Sequence, residues 1–192
     1  MRIKDLLFTV IACSMTLSVM AANDDHNPDN DMNNEGNKTL VAYFSATGTT
    51  MEAATKLAKV IHADLHEIVP EKPYTTADLN WNNKNSRSSV EMANKSSRPA
   101  VSSKVENMTQ YDTVFVGFPI WWYIAPTIIN TFLEQYDMTG KTIVPFFTSG
   151  GSGAGETLKY LKPSAPGAEW ITPKNFNYMS ESDITTWINT LK

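Results

Sequence analysis

The chain has 192 residues, of which 42% are hydrophobic and 19% are charged, and its net charge is −4. This length and apolar content are sufficient for one folded domain with an ordinary hydrophobic core. The charge excludes the concentrated basic surface that nucleic-acid binding requires, so we expect no nucleic-acid partner.

Residues 1–21 have the layout of a secretory signal peptide. Arg2 and Lys4 precede an apolar stretch without charges that ends in small residues at Ala21. We therefore expect export, to the periplasm, with cleavage near residue 21. Cys13 lies in a VIAC sequence that also resembles a lipoprotein acylation signal, and lipidation there would attach the protein to a membrane. An uncleaved membrane anchor is the other alternative.

Residues 22–38 are rich in Asn and Asp and have no apolar periodicity, so we expect a disordered linker. The folded part, 39–192, has no cysteine, which excludes a disulfide, a thiol nucleophile and a thiolate metal site there. The three histidines are too few and too badly placed to predict a metal centre, and we expect them at the surface. They are His26, His62 and His66.

From residue 39 onward, apolar stretches of strand length alternate with segments of helical periodicity. The predicted strands cover 39–45, 64–70, 112–119, 141–149 and 168–176. The predicted helices cover 49–63, 126–136, 153–162 and 180–192, and Ser180 is the expected N-cap of the last helix. The buried face of the first helix is expected to comprise Met51, Ala54, Leu57, Ala58 and Ile61.

The first, third and fourth predicted strands are apolar on both faces, so each face of the sheet must be covered. We therefore predict an α/β fold, a three-layer sandwich in which a five-stranded parallel sheet lies between two layers of helices. In such folds, ligands bind beyond the carboxyl ends of the strands. Candidate functional residues are therefore those that directly follow each strand.

The sequence SATGTT follows the first strand and ends where a helix begins. A helix amino terminus presents unpaired N–H groups, hydroxyls add donors, and glycine lets the backbone approach a ligand closely. A simple helix cap would need only one or two of these residues, so we predict a phosphate site without a cation. It comprises Ser45, Ala46, Thr47, Gly48, Thr49 and Thr50.

Two further loops follow the third and fourth strands. The first is aromatic, and we expect one of its rings to pack in the core and another to form a stacking wall for a flat ligand. Its residues are Pro119, Ile120, Trp121, Trp122 and Tyr123. The second is rich in glycine, so its backbone groups can bond the edge of a ring, unless it is only a mobile connection. Its residues are Thr148, Ser149, Gly150, Gly151 and Gly153.

The pattern of hydroxyls and glycine after the first strand resembles that of flavodoxins. The sequences GFPIWW and FFTSGGSG resemble a flavodoxin-like subfamily in which these two loops flank the ring system of FMN. The resemblance covers residues 39–192 and implies the strand order 2-1-3-4-5 and non-covalent FMN. It also implies that the three loops above bind the phosphate and the ring.

The chain departs from small electron-carrier flavodoxins at two places. Trp122 stands where those proteins usually have glycine, which argues against their one-electron chemistry. Residues 71–111 form a longer segment than one helix requires, which is either a surface elaboration or a cover over the ring. Its candidate substrate contacts are Tyr74, Trp81, Arg87, Glu91 and Arg98.

Three functions remain open on this reading. One is an FMN-dependent oxidoreductase that passes electrons or hydride to a small acceptor such as a quinone, and it requires a covered pocket. Another is an electron carrier between protein partners, which requires an exposed flavin edge. The third is a binding module without flavin. No side chain is predicted to act as a catalytic acid or base, and no dinucleotide-binding glycine pattern is present.

Overall fold

The computed structural model describes residues 38–191. The predicted signal peptide and nearly all of the predicted linker lie outside these residues, together with Cys13 and His26. Between Lys38 and Leu191, no helix has both the length and the apolar character needed to cross a bilayer.

Six strands and five α-helices alternate along the described chain. The strands are β1 (Lys38–Tyr43), β2 (Asp64–Glu67), β3 (Tyr111–Pro119), β4 (Thr142–Thr148), β5 (Glu169–Trp170) and β6 (Lys174–Asn175). The helices are α1 (Thr49–Ile61), α2 (Arg87–Ala93), α3 (Ile128–Leu133), α4 (Thr157–Leu161) and α5 (Glu181–Asn189). β1 begins at Lys38, one residue inside the segment predicted as linker.

All strand pairs are parallel, and the strand order is β2-β1-β3-β4-β5, with β6 also paired to β4. The predicted order 2-1-3-4-5 is therefore confirmed. Because the order reverses between β1 and β3, the loops that follow these neighbouring strands diverge and leave a crevice at the carboxyl edge of the sheet.

The core lies on both faces of the sheet, as the two-sided apolar strands predict. Alternate residues of each strand point to opposite faces: Val41 packs with Leu57 of α1 and Trp187 of α5, whereas Ala42 packs with Phe132 of α3 on the other face. Ser180 caps α5 in a reciprocal capping box with Asp183, which confirms the predicted N-cap.

Two details of the prediction are wrong. Met51 is 42% exposed, because the buried stripe of α1 instead follows Ala53, Ala54, Leu57 and Ala58. The strand predicted over 168–176 is two short strands, β5 and β6, which both pair with β4. Pro173 lies between them, and its missing N–H cannot join the ladder.

The long segment between β2 and β3 is fixed at both ends. Its ends pair through Glu71 N–H to Ala100 C=O (2.9 Å) and Ser102 N–H to Val69 C=O (2.9 Å). Within it, α2 is capped by Ser86, whose side chain accepts the N–H of Ser89. The segment is therefore an ordered excursion that begins and ends beside the carboxyl end of β2.

Candidate functional site

The turn between β1 and α1 exposes a helix amino terminus. The predicted alternative, a simple helix cap, is absent from this turn: no side chain caps α1, whereas serines cap α2 and α5. Gly48 precedes the helix with φ of 93°, a left-handed conformation that glycine adopts without strain. The first N–H groups of α1 therefore have no helical or capping partner and can bind an anion.

A hydroxyl pair links this turn to the end of β4. Thr50 Oγ1 lies 2.8 Å from Thr148 Oγ1, and both residues are buried. Since each hydroxyl carries one proton, the bond between them uses one of two protons and leaves the other for a ligand. Thr47 and Thr49, by contrast, are exposed and line the adjacent cavity.

The aromatic loop contains a tight turn with two strained residues. Trp121 N–H donates to Ile124 C=O (2.9 Å), and Ile124 N–H donates to Trp121 C=O (3.1 Å). The two residues between them, Trp122 and Tyr123, have φ of 47° and 66°. Such a turn usually contains Asn or Gly, because the left-handed region costs other residues energy. The glycine-like conformation is thus adopted without glycine.

Trp121 is the ring of this loop that packs against the core. Its indole contacts Phe44 edge-on (ring centres 5.6 Å apart) and Tyr74 likewise (5.3 Å). Trp122 and Tyr123 are 40% and 70% exposed. The loop therefore contains one packed ring, as predicted, and two exposed rings that line the cavity, and the stacking role of the latter stays a prediction.

Tyr74, Arg87 and Glu91 bond to one another. Tyr74 Oη donates to Glu91 Oε2 (2.6 Å), and Arg87 Nε donates to Glu91 Oε1 (2.7 Å). The guanidinium carbon of Arg87 lies 3.9 Å from the centre of the Tyr74 ring. Burial, followed by the hydrogen bond to Glu91, raises the pKa of Tyr74. Because Tyr74 contacts the indole of Trp121, this cluster supports the packed position of Trp121.

Arg98, also predicted as a substrate contact, lies elsewhere. Its guanidinium makes a two-point ion pair with Glu134 at the end of α3, with distances of 2.8 and 2.9 Å. That pair joins the long segment to the helical layer, and Arg98 does not line the cavity described below.

The glycine-rich loop after β4 is held by hydrogen bonds from a residue outside it and by a hydrogen bond within it. The side chain of Asn177 accepts the N–H of Ser149 (3.0 Å) and donates to its C=O (2.8 Å). Within the loop, Ser149 Oγ donates to Ser152 C=O (2.6 Å). Gly155 touches the other loop: a methyl group there would collide with the carbonyl oxygen of Tyr123.

One cavity of about 620 Å³ lies between the three loops and the long segment. It brings together all the predicted cofactor residues except Gly48, Gly151 and Gly153, which lie in the same loops. Four lining residues were not in the predicted cofactor set: Leu79, Trp81, Ser88 and Ser152. Sequence reasoning named Trp81 only as a substrate contact.

Asn177 does not line the cavity but holds the glycine-rich loop at Ser149, and the sequence analysis missed it. A signal for it existed, because it follows the last predicted strand, and ligand-binding residues of such sheets lie just past the strand ends. Leu79 and Ser88 have no comparable signal, since nothing in the sequence tells which part of residues 71–111 folds back over the sheet.

The cavity is electrically neutral at its walls. None of its lining residues has an ionisable carboxylate, amine, guanidine or imidazole. Within residues 38–191 there is also no cluster of three or more His, Cys, Asp or Glu that could bind a metal. The site can therefore bind an anion only through dipoles and hydroxyls at the α1 end, and flat apolar surface at the aromatic end.

A parallel sheet of this order, covered by helices on both faces and bearing a cavity past its carboxyl edge, defines a flavodoxin-like α/β protein. The chain belongs to the flavodoxin family, whose sequence model matches residues 38–191. No curated protein sequence matches the chain.

Solved structures are similar to this chain at two levels of sequence identity, about one half and about one fifth. A candidate flavoprotein from Bacteroides eggerthii is 53% identical over 80% of this chain and 96% of its own, with a TM-score of 0.76. Another from Bacteroides uniformis is 50% identical over 80% and 99%, also at 0.76. A Lactobacillus acidophilus flavoprotein solved with FMN is 22% identical over 79% and 99% (TM-score 0.61), which shows a shared fold.

Proposed function

We propose that the protein binds FMN non-covalently and acts as an oxidoreductase on a small acceptor such as a quinone. The observation that carries the proposal is the amino end of α1. It lacks a side-chain cap and opens into the same cavity as the two exposed aromatic rings of the neighbouring loop. A ligand with one phosphate at one end and a flat ring at the other matches both features.

The residues present fit FMN. The N–H groups at the start of α1, with the hydroxyls of Ser45, Thr47, Thr49 and Thr50, would hold the phosphate. The aromatic loop and the glycine-rich loop would hold the ring. The cavity volume of about 620 Å³ lies within the range of roughly 300–1,000 Å³ for cofactor sites. The Bacteroides structures similar to this chain are candidate flavoproteins, and the Lactobacillus acidophilus flavoprotein that shares the fold was solved with FMN, which supports the same cofactor here.

FMN supplies the redox chemistry when bound, and the protein supplies binding and electrostatics. Reduction of a quinone to its hydroquinone consumes two electrons and two protons. The electrons would come from the reduced cofactor and the protons from solvent, and a protein or small-molecule reductant must in turn reduce the cofactor. Because the cavity walls are uncharged and the chain has a net charge of −4, added negative charge on a bound ring is disfavoured. We therefore expect a strongly reducing cofactor.

Titration of the purified protein with FMN tests cofactor binding. We expect the flavin fluorescence to be quenched by neighbouring aromatic rings, saturation at one FMN per chain, and release of FMN on denaturation. An absence of saturable binding would contradict the proposal and leave only the binding module without flavin.

Anaerobic photoreduction distinguishes the oxidoreductase from an electron carrier between proteins. Direct bleaching of the flavin spectrum to the two-electron-reduced form supports the oxidoreductase. A long-lived blue one-electron-reduced form supports the carrier. The strained turn at Trp122 and Tyr123, held by two backbone bonds, favours the first result, because it restricts the rearrangement of this loop.

We also propose export to the periplasm, supported by the signal-like sequence of residues 1–21. Because nicotinamide cofactors are scarce outside the cytoplasm, we expect the electron donor of an exported protein to be something other than NADH or NADPH. Cell fractionation and the mass of the processed chain test this proposal. Cleavage near residue 21 supports soluble export, acylated Cys13 supports a lipoprotein, and an unprocessed cytoplasmic chain contradicts export.

A further inference from the structure

The cavity has a wall that the three cofactor loops do not provide. Leu79, Trp81 and Ser88, all from the segment between β2 and β3, line it together with residues of the three loops. The loops after β1, β3 and β4 already account for a phosphate and a ring. The extra wall therefore encloses space next to the predicted ring position.

This wall is built by an internal network of bonds. Ser88 is buried, its hydroxyl donates to Asp78 C=O (2.6 Å), and its N–H donates to the same oxygen (3.0 Å). The side chain of Asp78 in turn accepts from the N–H and hydroxyl of Thr75, at 2.9 and 2.7 Å. Trp81 lies between Asp78 and Ser88 in the chain, so its backbone is held at both sides.

Three aromatic side chains at this cavity are exposed. Trp81 is 72% exposed, Trp122 40% and Tyr123 70%. Among residues 38–191, none of the ring–ring contacts involves these three. Large aromatic residues normally bury their faces, and grouped exposed ones mark a binding surface. Backbone strain at Trp122 and Tyr123 is a second sign of a functional site.

The charge distribution restricts what can bind there. No cavity-lining residue has a carboxylate, amine, guanidine or imidazole, and the cation next to Ser88 in the chain, Arg87, is bonded to Glu91 and to Lys72 C=O. A ligand with a charged group at this wall would lose hydration without gaining a partner. A dinucleotide would need a second phosphate site, which the lining does not offer.

We propose that Trp81 and Leu79 form a subsite that binds an uncharged, planar aromatic ring beside the cofactor ring, which Trp122 and Tyr123 of the aromatic loop would hold. This inference rests on the proposed function and adds the class of substrate, a neutral quinone or a similar flat ring, and the residues that select it. Trp81 would stack on the ring, and the neutral walls would exclude anionic rings of the same shape.

Isothermal titration calorimetry of the oxidised, FMN-loaded protein tests the subsite without turnover. The probes are menadione, which is planar and uncharged, and anthraquinone-2,6-disulfonate, which is planar and doubly anionic. We expect Trp81→Ala to weaken menadione binding about tenfold, which corresponds to roughly 1.4 kcal/mol, a value that a lost aromatic stack can account for. Trp81→Phe should restore most of the affinity.

Val90→Ala is the matched control, because Val90 is exposed in the same segment and does not line the cavity. Its menadione affinity should equal that of the unmodified protein, and the disulfonate should bind far more weakly than menadione. Equal menadione affinity in Trp81→Ala and the unmodified protein, or equal affinity for both probes, overturns the subsite. The FMN affinity of every variant is measured in parallel. A loss of FMN affinity in Trp81→Ala, but not in Val90→Ala, would place Trp81 in the cofactor site instead. If the unmodified protein does not bind FMN at all, the proposed function itself is refuted.

Discussion

The hydroxyl groups of Thr50 and Thr148 lie 2.8 Å apart in the buried wall of the cavity, although the two residues are 98 positions apart in the chain. Their bond joins the turn between β1 and α1, the candidate phosphate site, to the end of β4, where the candidate ring loop begins. It therefore holds two of the candidate cofactor loops together.

The first prediction concerns this pair. Thr50→Val should lower the free energy of unfolding by about 1–3 kcal/mol, because it leaves the buried Thr148 hydroxyl without its partner. The double variant Thr50→Val with Thr148→Val should lose less free energy of unfolding than the two single variants lose together, since neither hydroxyl is then left unpaired. Urea denaturation of the protein without FMN measures all three variants.

Thr55→Val serves as the control for this cycle. Thr55 lies on the exposed side of α1, where its hydroxyl donates to Met51 C=O (2.9 Å), and its replacement should change stability by less than about 0.5 kcal/mol. Strictly additive effects at Thr50 and Thr148 would show that the observed bond does not contribute to stability.

The second prediction separates phosphate binding from ring binding. Thr47 is exposed in the turn and lines the cavity, so Thr47→Val removes a donor without disturbing the core. We expect FMN affinity to fall several-fold, a loss of about 1 kcal/mol, whereas the affinity for riboflavin, which lacks the phosphate, should not change. Fluorescence titration with both flavins makes the comparison.

Riboflavin itself should bind more weakly than FMN to the unmodified protein. An equal loss of affinity for both flavins in Thr47→Val would mean that this hydroxyl contacts the ring or supports the loop, and the assignment of the turn to the phosphate would then be wrong.

The third prediction tests the strain in the aromatic loop. In a helix or strand, a protein with glycine at a given position is normally less stable than one with alanine there, by roughly 0.5–1 kcal/mol. At Tyr123, where φ is 66°, the order should reverse, because the left-handed conformation costs a residue with a Cβ about 1–2 kcal/mol. Tyr123→Gly should therefore unfold at higher urea concentration than Tyr123→Ala.

Val90 provides the comparison for this pair of substitutions. It is exposed like Tyr123 but lies within α2, so Val90→Ala should be more stable than Val90→Gly. If alanine were also more stable than glycine at position 123, the turn would not hold the strained conformation in solution.

The sheet could be predicted from the sequence because its signals are local. β1, β3 and β4 are apolar on both faces, and this pattern alone requires two covering layers. The strand after Gly167 could not be predicted as two pieces, because the apolar residues on both sides of Pro173 suggest one strand. Only the pairing of both pieces with β4 shows that the ladder is interrupted at the proline.

The site was predictable where it follows the strands and unpredictable where it depends on distant contacts. The turn at Ser45–Thr50 and the two loops that line the cavity were predicted from their positions after the strands and from their hydroxyl, aromatic and glycine residues. Arg87 and Glu91 looked like substrate contacts, since charged residues in a long loop are normally available to a ligand. Arg87 and Glu91 have the i, i+4 spacing of a helical ion pair, but no helix was predicted within residues 71–111, so this pairing was missed. The bond of Glu91 to Tyr74, 17 residues away, follows no local pattern.

The fourth prediction concerns the pH dependence of stability. His66 on β2 stacks on Phe132 of α3 with ring centres 5.9 Å apart, and its Nε2 atom is buried without a hydrogen-bond partner. Burial lowers the pKa of His66 below its ordinary value of 6.5. The unfolded chain therefore binds a proton at a higher pH than the folded chain does.

Stability should consequently be complete above about pH 6.5 and should fall as the pH decreases from there to the pKa of His66 in the folded state, because the proton uptake favours the unfolded chain. His66→Phe keeps an aromatic ring against Phe132 and removes the titrating group, so its stability should change less over this range. Urea denaturation at several pH values measures the difference between the two proteins.

His62→Asn is the control, since His62 is exposed at the left-handed C-cap of α1, a conformation that Asn accepts. An identical loss of stability in His66→Phe and the unmodified protein over this range would assign the pH dependence to groups other than His66.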